Sequence, residues 1–412
     1  MRSHPVGRVG AAAAAGTCLA LLLTACGSGY GDTPEGDGAL TVLFGSSGEA
    51  ETAAVKAALA AWSEESGVPA EAIPAQDLVQ QLRQGFAGGD PADVFYVSPD
   101  LFQQYAEGGS LYPYGDQIED VDDFYPALRD SYTYEDELYC VPKDYNTHAL
   151  VINTDLWEEA GLGDDDIPTS WEELAETAEQ LTEGDRVGFA LNGDYNSAGT
   201  FMLQAGGWFV NDDNTEATGD TPENLAALDY LTTGLDEGYF SFVKDIDAQS
   251  GSEALGRGRA AMVMDGGWVT GAFDNDYPEL NWRAVELPEG PGGQATTVFS
   301  NCWGIAEASG DHEAAVDLVR YLTSPEQQQA FAEDFGAVPP RESLADWTAE
   351  TFPEKAAFAA GVDYARGQVP VPGFMSVLNE FTTGMQGVAA GSAEPADVLA
   401  QLQRDGEEAL GE

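Results

Sequence analysis

Positive charge is scarce in this sequence. Lys and Arg number 16 against 72 Asp and Glu, for a formal net charge of −56 over 412 residues. So acidic a surface repels phosphate backbones and anionic lipid headgroups, which excludes nucleic acid and a charged membrane surface as partners. Histidine is scarcer still, with three in the chain. His4, His148 and His312 lie far apart, and no HExxH, CxxC or CxxH spacing occurs, so no zinc site is expected. A GxSxG elbow and a GxxxxGK[ST] phosphate loop are missing as well. Asp212-Asp213-Asn214 weakly resembles a calcium loop but lacks the glycine its sharp turn needs. The 72 carboxylates would allow a glycosidase pair almost anywhere, and for that reason identify none. No cofactor, metal or catalysis is expected. Beyond the N-terminus, no stretch approaches the ~18 apolar residues of a membrane helix.

What is present is enough apolar material for real cores: 43% hydrophobic and 10% aromatic residues. The length suits two domains better than one. At the N-terminus, Arg2 and Arg8 precede the apolar run Val9–Leu23, the pattern of a secretory signal. It ends in Leu23-Thr24-Ala25-Cys26, which resembles the bacterial lipobox, so residues 1–25 are expected to be removed and Cys26 lipidated. Two acyl chains would anchor it stably. Residues 26–38, rich in Gly, Asp and Pro, read as a tether. Loss of residues 1–25 removes two Arg and no acids, leaving 14 basic residues against 72 acidic ones and a formal charge of −58. Of the four cysteines, Cys18 leaves with the signal. Cys140 and Cys302 remain, and in an oxidising compartment a disulfide is the economical reading, two buried free thiols the alternative.

Along the mature chain, short apolar runs alternate with amphipathic helices. Leu40–Gly45 reads as a strand, and Glu51–Glu65 as a helix with Val55, Leu59 and Trp62 on one face. Leu78, Leu82 and Phe86 mark another helix, followed by a strand over Ala92–Val97 and a helix over Pro99–Glu107. Ser170 and Glu173 form a capping box. Ser324, with Pro325 at the first helical position, starts a helix to Asp334, behind the stripe Ala315, Leu318, Val319 and Leu322. Gly163–Asp166, Val210–Thr221 and Glu289–Gln294 read as loops. The alternation predicts an α/β fold with a largely parallel sheet.

Several segments, in order, resemble the extracellular sugar-binding proteins of bacterial ABC importers. These are Gly89-Asp90-Pro91-Ala92-Asp93-Val94-Phe95; Leu138-Tyr139-Cys140-Val141-Pro142-Lys143; Ala149 to Leu156; Glu159-Ala160-Gly161-Leu162; and Pro168 to Leu174. Gly258 to Met262, Gly266-Gly267-Trp268, Trp303-Gly304-Ile305, Tyr321 to Glu326 and Gly336-Ala337-Val338-Pro339 complete the set. Ile152 departs from the family's usual tyrosine. Together the matches span roughly residues 40–345.

The resemblance implies a two-lobed periplasmic-binding-protein fold, type II-like, with a multi-crossing hinge. Lobe one would take residues 39–142 and 303–340, and lobe two 143–302 and 341–412. Crossings are expected near Pro142–Asn146, Phe299–Trp303 and Pro339–Leu344, which places Cys140 and Cys302 on adjacent segments. It also implies a monomer outside the cytoplasmic membrane, held there by lipid alone, that closes on a carbohydrate and delivers it to an ABC permease. Sugars suit aromatic walls with hydrogen-bonding neighbours. The candidate ligand residues are Ser46, Ser47, Ser98, Asp100, Tyr145, Asn146, Asp194, Tyr195, Asn196, Trp268, Trp303 and Phe374. Asn146 falls where the family places a hinge acid. Plainer readings stand beside these: Ser46, Ser47 and Asp100 as helix caps, His148 as a packed strand residue, Trp62, Trp157 and Trp171 as core, and Trp208 as core or cleft. Two other functions remain open: binding of a different solute (a peptide, polyamine, phosphate ester or ferric ion), and a surface-anchored enzyme.

The lipobox reading is tested directly. A Cys26→Ser chain expressed in its host should take up no labelled fatty acid, and incorporation at the level of the unaltered chain would refute it.

Overall fold

The computed structural model describes residues 38–411, so Cys26, the signal and nearly all of the tether lie outside the described residues. The apolar run Leu40–Gly45 forms strand β1, which pairs in parallel with β2 (Ala70–Ala75) and β3 (Val94–Val97). The residues between β1 and β2 form the helix Glu49–Ser66, whose Val55, Leu59 and Trp62 are buried against the sheet. The Trp62 indole N–H donates to Asp317 at 2.9 Å, tying this helix to His312–Leu322 and its buried Ala315, Leu318, Val319 and Leu322. A small hairpin, β4 (Thr133–Tyr134) with β5 (Glu137–Leu138), follows. It precedes the first passage of the chain into a second lobe.

That lobe is built on a seven-stranded mixed sheet. Its centre is β6 (Asn146–Asn153), continuously apolar from Ala149 to Ile152 because helices cover both faces. On one edge β6 meets β9 (Ala260–Gly266) antiparallel, and beyond β9 run β7 (Val187–Leu191) and β8 (Phe240–Phe242) in parallel. Its other edge is shared by β10 (Trp282–Val285) and β11 (Thr296–Phe299). Two residues after β11, β12 (Cys302–Ile305) joins the first sheet antiparallel to β3. The C-terminal segment returns as β13 (Ala365–Arg366) beside β11, and the helices Met375–Ala389 and Pro395–Leu410 pack into the second core. Two α/β lobes with separate cores thus share three chain passages. Among the described residues no helix is long and apolar enough to cross a membrane.

The passages lie side by side. The Lys143 N–H donates to the Asn301 carbonyl at 2.8 Å, and the Trp303 N–H to Val141 at 3.1 Å. Tyr145 N–H donates to Val338 at 3.1 Å, bringing in the third passage. Arg341, 2% exposed, anchors that third segment to lobe one. It donates to Asp120 at 2.7 Å, to Asp123 at 3.0 Å and to the Thr323 carbonyl, and it lies over the Phe124 ring at 4.2 Å. A disulfide joins Cys140 to Cys302, with Cα atoms 5.7 Å apart. The expected strand over Ala92–Val97 begins at Val94, since Pro91 offers no N–H and Asp93 turns its carboxylate to the Thr41 N–H and hydroxyl. Trp157, Trp171 and Trp208 are core residues.

The disulfide closes a loop with a sequence separation of 162, for which the chain-entropy model gives roughly 5 kcal/mol as an upper bound. Peptide mapping without reductant should recover Cys140 and Cys302 as one linked pair, and reduction should lower the melting temperature. Recovery of two free thiols would contradict the bond.

Candidate functional site

The facing edges of the two lobes enclose a cleft of about 970 Å³. Lobe one contributes the loop after β1 and the start of its helix, then Ser98, Pro99 and Asp100 after β3. Lobe two contributes Gly267, Trp268 and the first turns of helix Val269–Asp276, together with Phe299 at the end of β11. The floor is made by the passages themselves, Lys143, Asp144, Asn146, Ser300 and Asn301.

A buried charge cluster holds that floor. Glu51, 2% exposed, accepts from the Ser47 N–H at 2.7 Å and hydroxyl at 2.8 Å through one oxygen. Through the other it accepts from the Tyr96 hydroxyl at 3.0 Å and Lys143 Nζ at 3.2 Å. Lys143 also bonds Asp144 and lies 4.6 Å from the Tyr96 ring centroid. Burial pushes the Glu51 carboxyl up, but the Lys143 ammonium and the Ser47 hydrogen bonds outweigh it and hold it below the usual range. Burial alone would discharge Lys143, yet the carboxylates of Asp144 and Glu51 keep it charged, above an ordinary lysine.

The lobe-two wall is aromatic. Trp268 follows two glycines and stands 48% exposed. A side chain at Gly266 would come within 2.3 Å of the indole, so only glycine lets the ring lie on that backbone. Phe299 meets Trp268 edge-on at 5.2 Å and His148 at 4.8 Å. His148 sits beneath them, within 3.2 Å of the Thr297 hydroxyl and 3.3 Å of that of Thr200. Burial pushes its pKa down to about 4 despite the Asp194 charge, so the imidazole is neutral at pH 7. Asp265, also buried, is pushed up to about 6 by burial against the Gly266 N–H. Asn146 turns a buried side-chain oxygen, with no hydrogen-bond partner, toward Gly267.

Of the residues expected at a ligand site, Ser47, Ser98, Asp100, Asn146 and Trp268 line the cleft. Tyr195 and Asn196 line a narrow recess that adjoins it through Gln368. Ser46 instead spends its hydroxyl on Gly48 and Thr52, and Asp194 caps its helix by accepting from the Ser197 N–H at 2.9 Å. Three expectations are corrected. Trp303 lies mid-strand in β12, fully buried against Tyr96 at 4.6 Å. Tyr145, 2% exposed, donates to the Ala359 carbonyl and packs on Tyr125 in the small core between the lobes. Phe374 is buried in the lobe-two core. In each case a covered position in a sheet or helix layer claims the ring. Missed in the sequence were Glu51, Lys143, Phe299 and Gln368. Lys143 and Glu51 are 92 residues apart, and no local pattern pairs them.

Comparison with known proteins agrees with this architecture. Residues 57–360 match the family described as bacterial extracellular solute-binding protein. A lactose-binding protein of Rhizobium radiobacter is 25% identical over 332 residues, covering 75% of this chain and 77% of the relative. The cyclic α-maltosyl-1,6-maltose binding protein of Arthrobacter globiformis superposes with a TM-score of 0.80 at 22% identity, over 90% of this chain and 98% of that one. Mycobacterium tuberculosis UgpB in complex with glycerophosphocholine superposes with a TM-score of 0.78 at 19% identity, over 91% and 99%. At such identities these two structures establish the shared fold.

The burial of His148 has a measurable consequence. Its folded pKa lies below its unfolded value of about 6.5, so its contribution to stability is complete above that pH. It is lost as pH falls toward about 4. By NMR, the His148 imidazole should stay neutral down to about pH 5, whereas titration near pH 6.5 would place it in contact with water.

Proposed function

The chain belongs to the bacterial extracellular solute-binding protein family, and from that premise we propose that it captures a sugar or oligosaccharide between its lobes for an ABC permease. The observation that carries this reading is Trp268, a large aromatic ring half exposed inside a cleft that also presents hydrogen-bonding groups from both lobes. An exposed indole in water is costly unless a ligand face covers it, and the C–H faces of a sugar are suited to that. Around it, Asp100, Asn146, Ser98 and Asn301 offer acceptors and donors for hydroxyls. The lactose-binding and maltosyl-maltose-binding relatives support the same substrate class.

Function follows from closure. A ligand that touches Asp100 on lobe one and Trp268 on lobe two binds the closed form better, and shifts the equilibrium by that difference. The passages near Lys143, Ser300 and Val338 are the hinge: the first lobe boundary lies at 142/143, the second falls before β12 rather than at 302/303, and the third beyond Arg341 rather than at 340/341, since lobe one holds both Cys302 and Arg341. Lipidation at Cys26 would hold the receptor at the outer face of the cytoplasmic membrane, beside its permease.

A second reading, a non-sugar solute, is favoured by the glycerophosphocholine-bound neighbour. Against it, the one cation lining the cleft among the described residues, Lys143, is already bonded to two carboxylates and offers a phosphate little.

A thermal-shift screen of saccharides and phosphodiesters, followed by calorimetry, tests the proposal. Trp268→Ala should lose at least about tenfold in affinity for the best sugar, and Asp100→Ala should weaken binding through a lost charge-assisted hydrogen bond of about 1.5–3 kcal/mol. Both unliganded variants should melt close to the unaltered protein. Stabilisation by phosphodiesters alone would favour the second reading.

A further inference from the structure

The charge around the cleft bears on which saccharide it takes, a question that rests on the sugar-binding reading above. Among the described residues five carboxylates line the cleft, those of Glu49, Glu51, Asp100, Asp144 and Asp276, against the single ammonium of Lys143. That ammonium is 8% exposed and bonded to Glu51 and Asp144, so it is locally neutralised and closed to a ligand. No ion pair engages Glu49, Asp100 or Asp276 among the described residues. Behind the lobe-two wall stand two more acids, Asp194 and Asp265, near enough for Asp194 to act on both His148 and Asp265. The basic side chain that stands with them, His148, is uncharged at neutral pH.

Acidity throughout the chain does not weaken the point. The potential felt by a ligand depends on the charges nearest to it, and a cleft with low-dielectric walls concentrates their field. An anionic sugar entering here would meet carboxylates, with no free cation among the described lining residues to answer it. A cation would find the reverse, and it would find Trp268 as well. An indole is the most favourable ring face for a positive charge, and this one is 48% exposed.

We propose that the cleft selects a saccharide carrying a protonated amine, held between the Trp268 face and the unpaired Asp100 carboxylate, and rejects acidic sugars. The amine forms a charge-assisted hydrogen bond to Asp100 while the adjacent sugar ring covers the indole. Asp276, on the helix that follows Trp268, adds to the field without a required contact.

The test uses matched sugars that differ at one carbon: hydroxyl, amine and acetamide forms of gluco- and galacto-oligosaccharides, with the corresponding uronates. Titration calorimetry on the full-length chain in detergent should show the amine form binding at least about tenfold tighter than the hydroxyl form. The gap should narrow as salt rises, and the uronates should not bind. Asp100→Asn should weaken the amine form far more than the hydroxyl form and so remove most of the gap, and Trp268→Ala should weaken both forms. Equal affinity for amine and hydroxyl forms, or binding of a uronate, overturns the charge inference and leaves the sugar reading intact. A panel in which no saccharide of any charge binds overturns both.

Discussion

Lys143 is buried where the chain first passes between the lobes, and it stays charged there only because Glu51 and Asp144 meet it. Removing Lys143 would leave the buried Glu51 carboxylate without its cation, a loss of the kind that costs about 3–5 kcal/mol. The pairing therefore constrains more than itself. Glu51 stands in the first turn of the helix after β1, so Lys143 fixes that loop, with Ser47, against the passage. Tyr96 joins the same carboxylate from β3, which brings Ser98 and Asp100 to the cleft edge. One buried ion pair thus sets the position of the lobe-one wall.

The lobe-two wall depends on space rather than charge. Gly266 and Gly267 leave no side chains where the Trp268 indole and the Asn146 amide lie. The ring is exposed because β9 ends there and the following helix turns away from it. Phe299 and His148 back the ring from β11 and β6. Because β11 ends two residues before β12 begins, the wall and the hinge are covalently close.

Much of the fold was legible from local pattern. The helix of Val55, Leu59 and Trp62, the helix from Pro99, and the strand at β1 follow from periodicity and end signals. Ser324 caps the helix Pro325–Phe335 as its spacing indicates. Ser170 accepts from the Glu173 N–H, although the Glu173 carboxylate turns to Thr169 instead of completing the box. The cleft was less legible. Trp268 was identifiable because two glycines and no apolar periodicity surround it. Trp303 and Tyr145 were misplaced because an aromatic near a passage reads the same whether it faces the gap or the layer beneath, and Phe374 because nothing local shows that the helix it precedes packs into the lobe-two core.

By itself, then, the sequence determined the classes of thing this protein can be: an α/β chain with an acidic surface, an N-terminal segment resembling a lipoprotein signal, and the family its ordered motifs resemble. These follow from composition and from residues a few positions apart, where the chain's own geometry brings groups together. Tertiary structure alone decided which polar groups share the cleft. Glu51 and Lys143, and likewise Asp100 and Trp268, are neighbours of one cavity only after two sheets have folded and three passages have aligned. Burial then acts on the titratable groups, since it is desolvation, absent in the unfolded chain, that keeps His148 neutral well below its ordinary pKa and makes Lys143 need its partners.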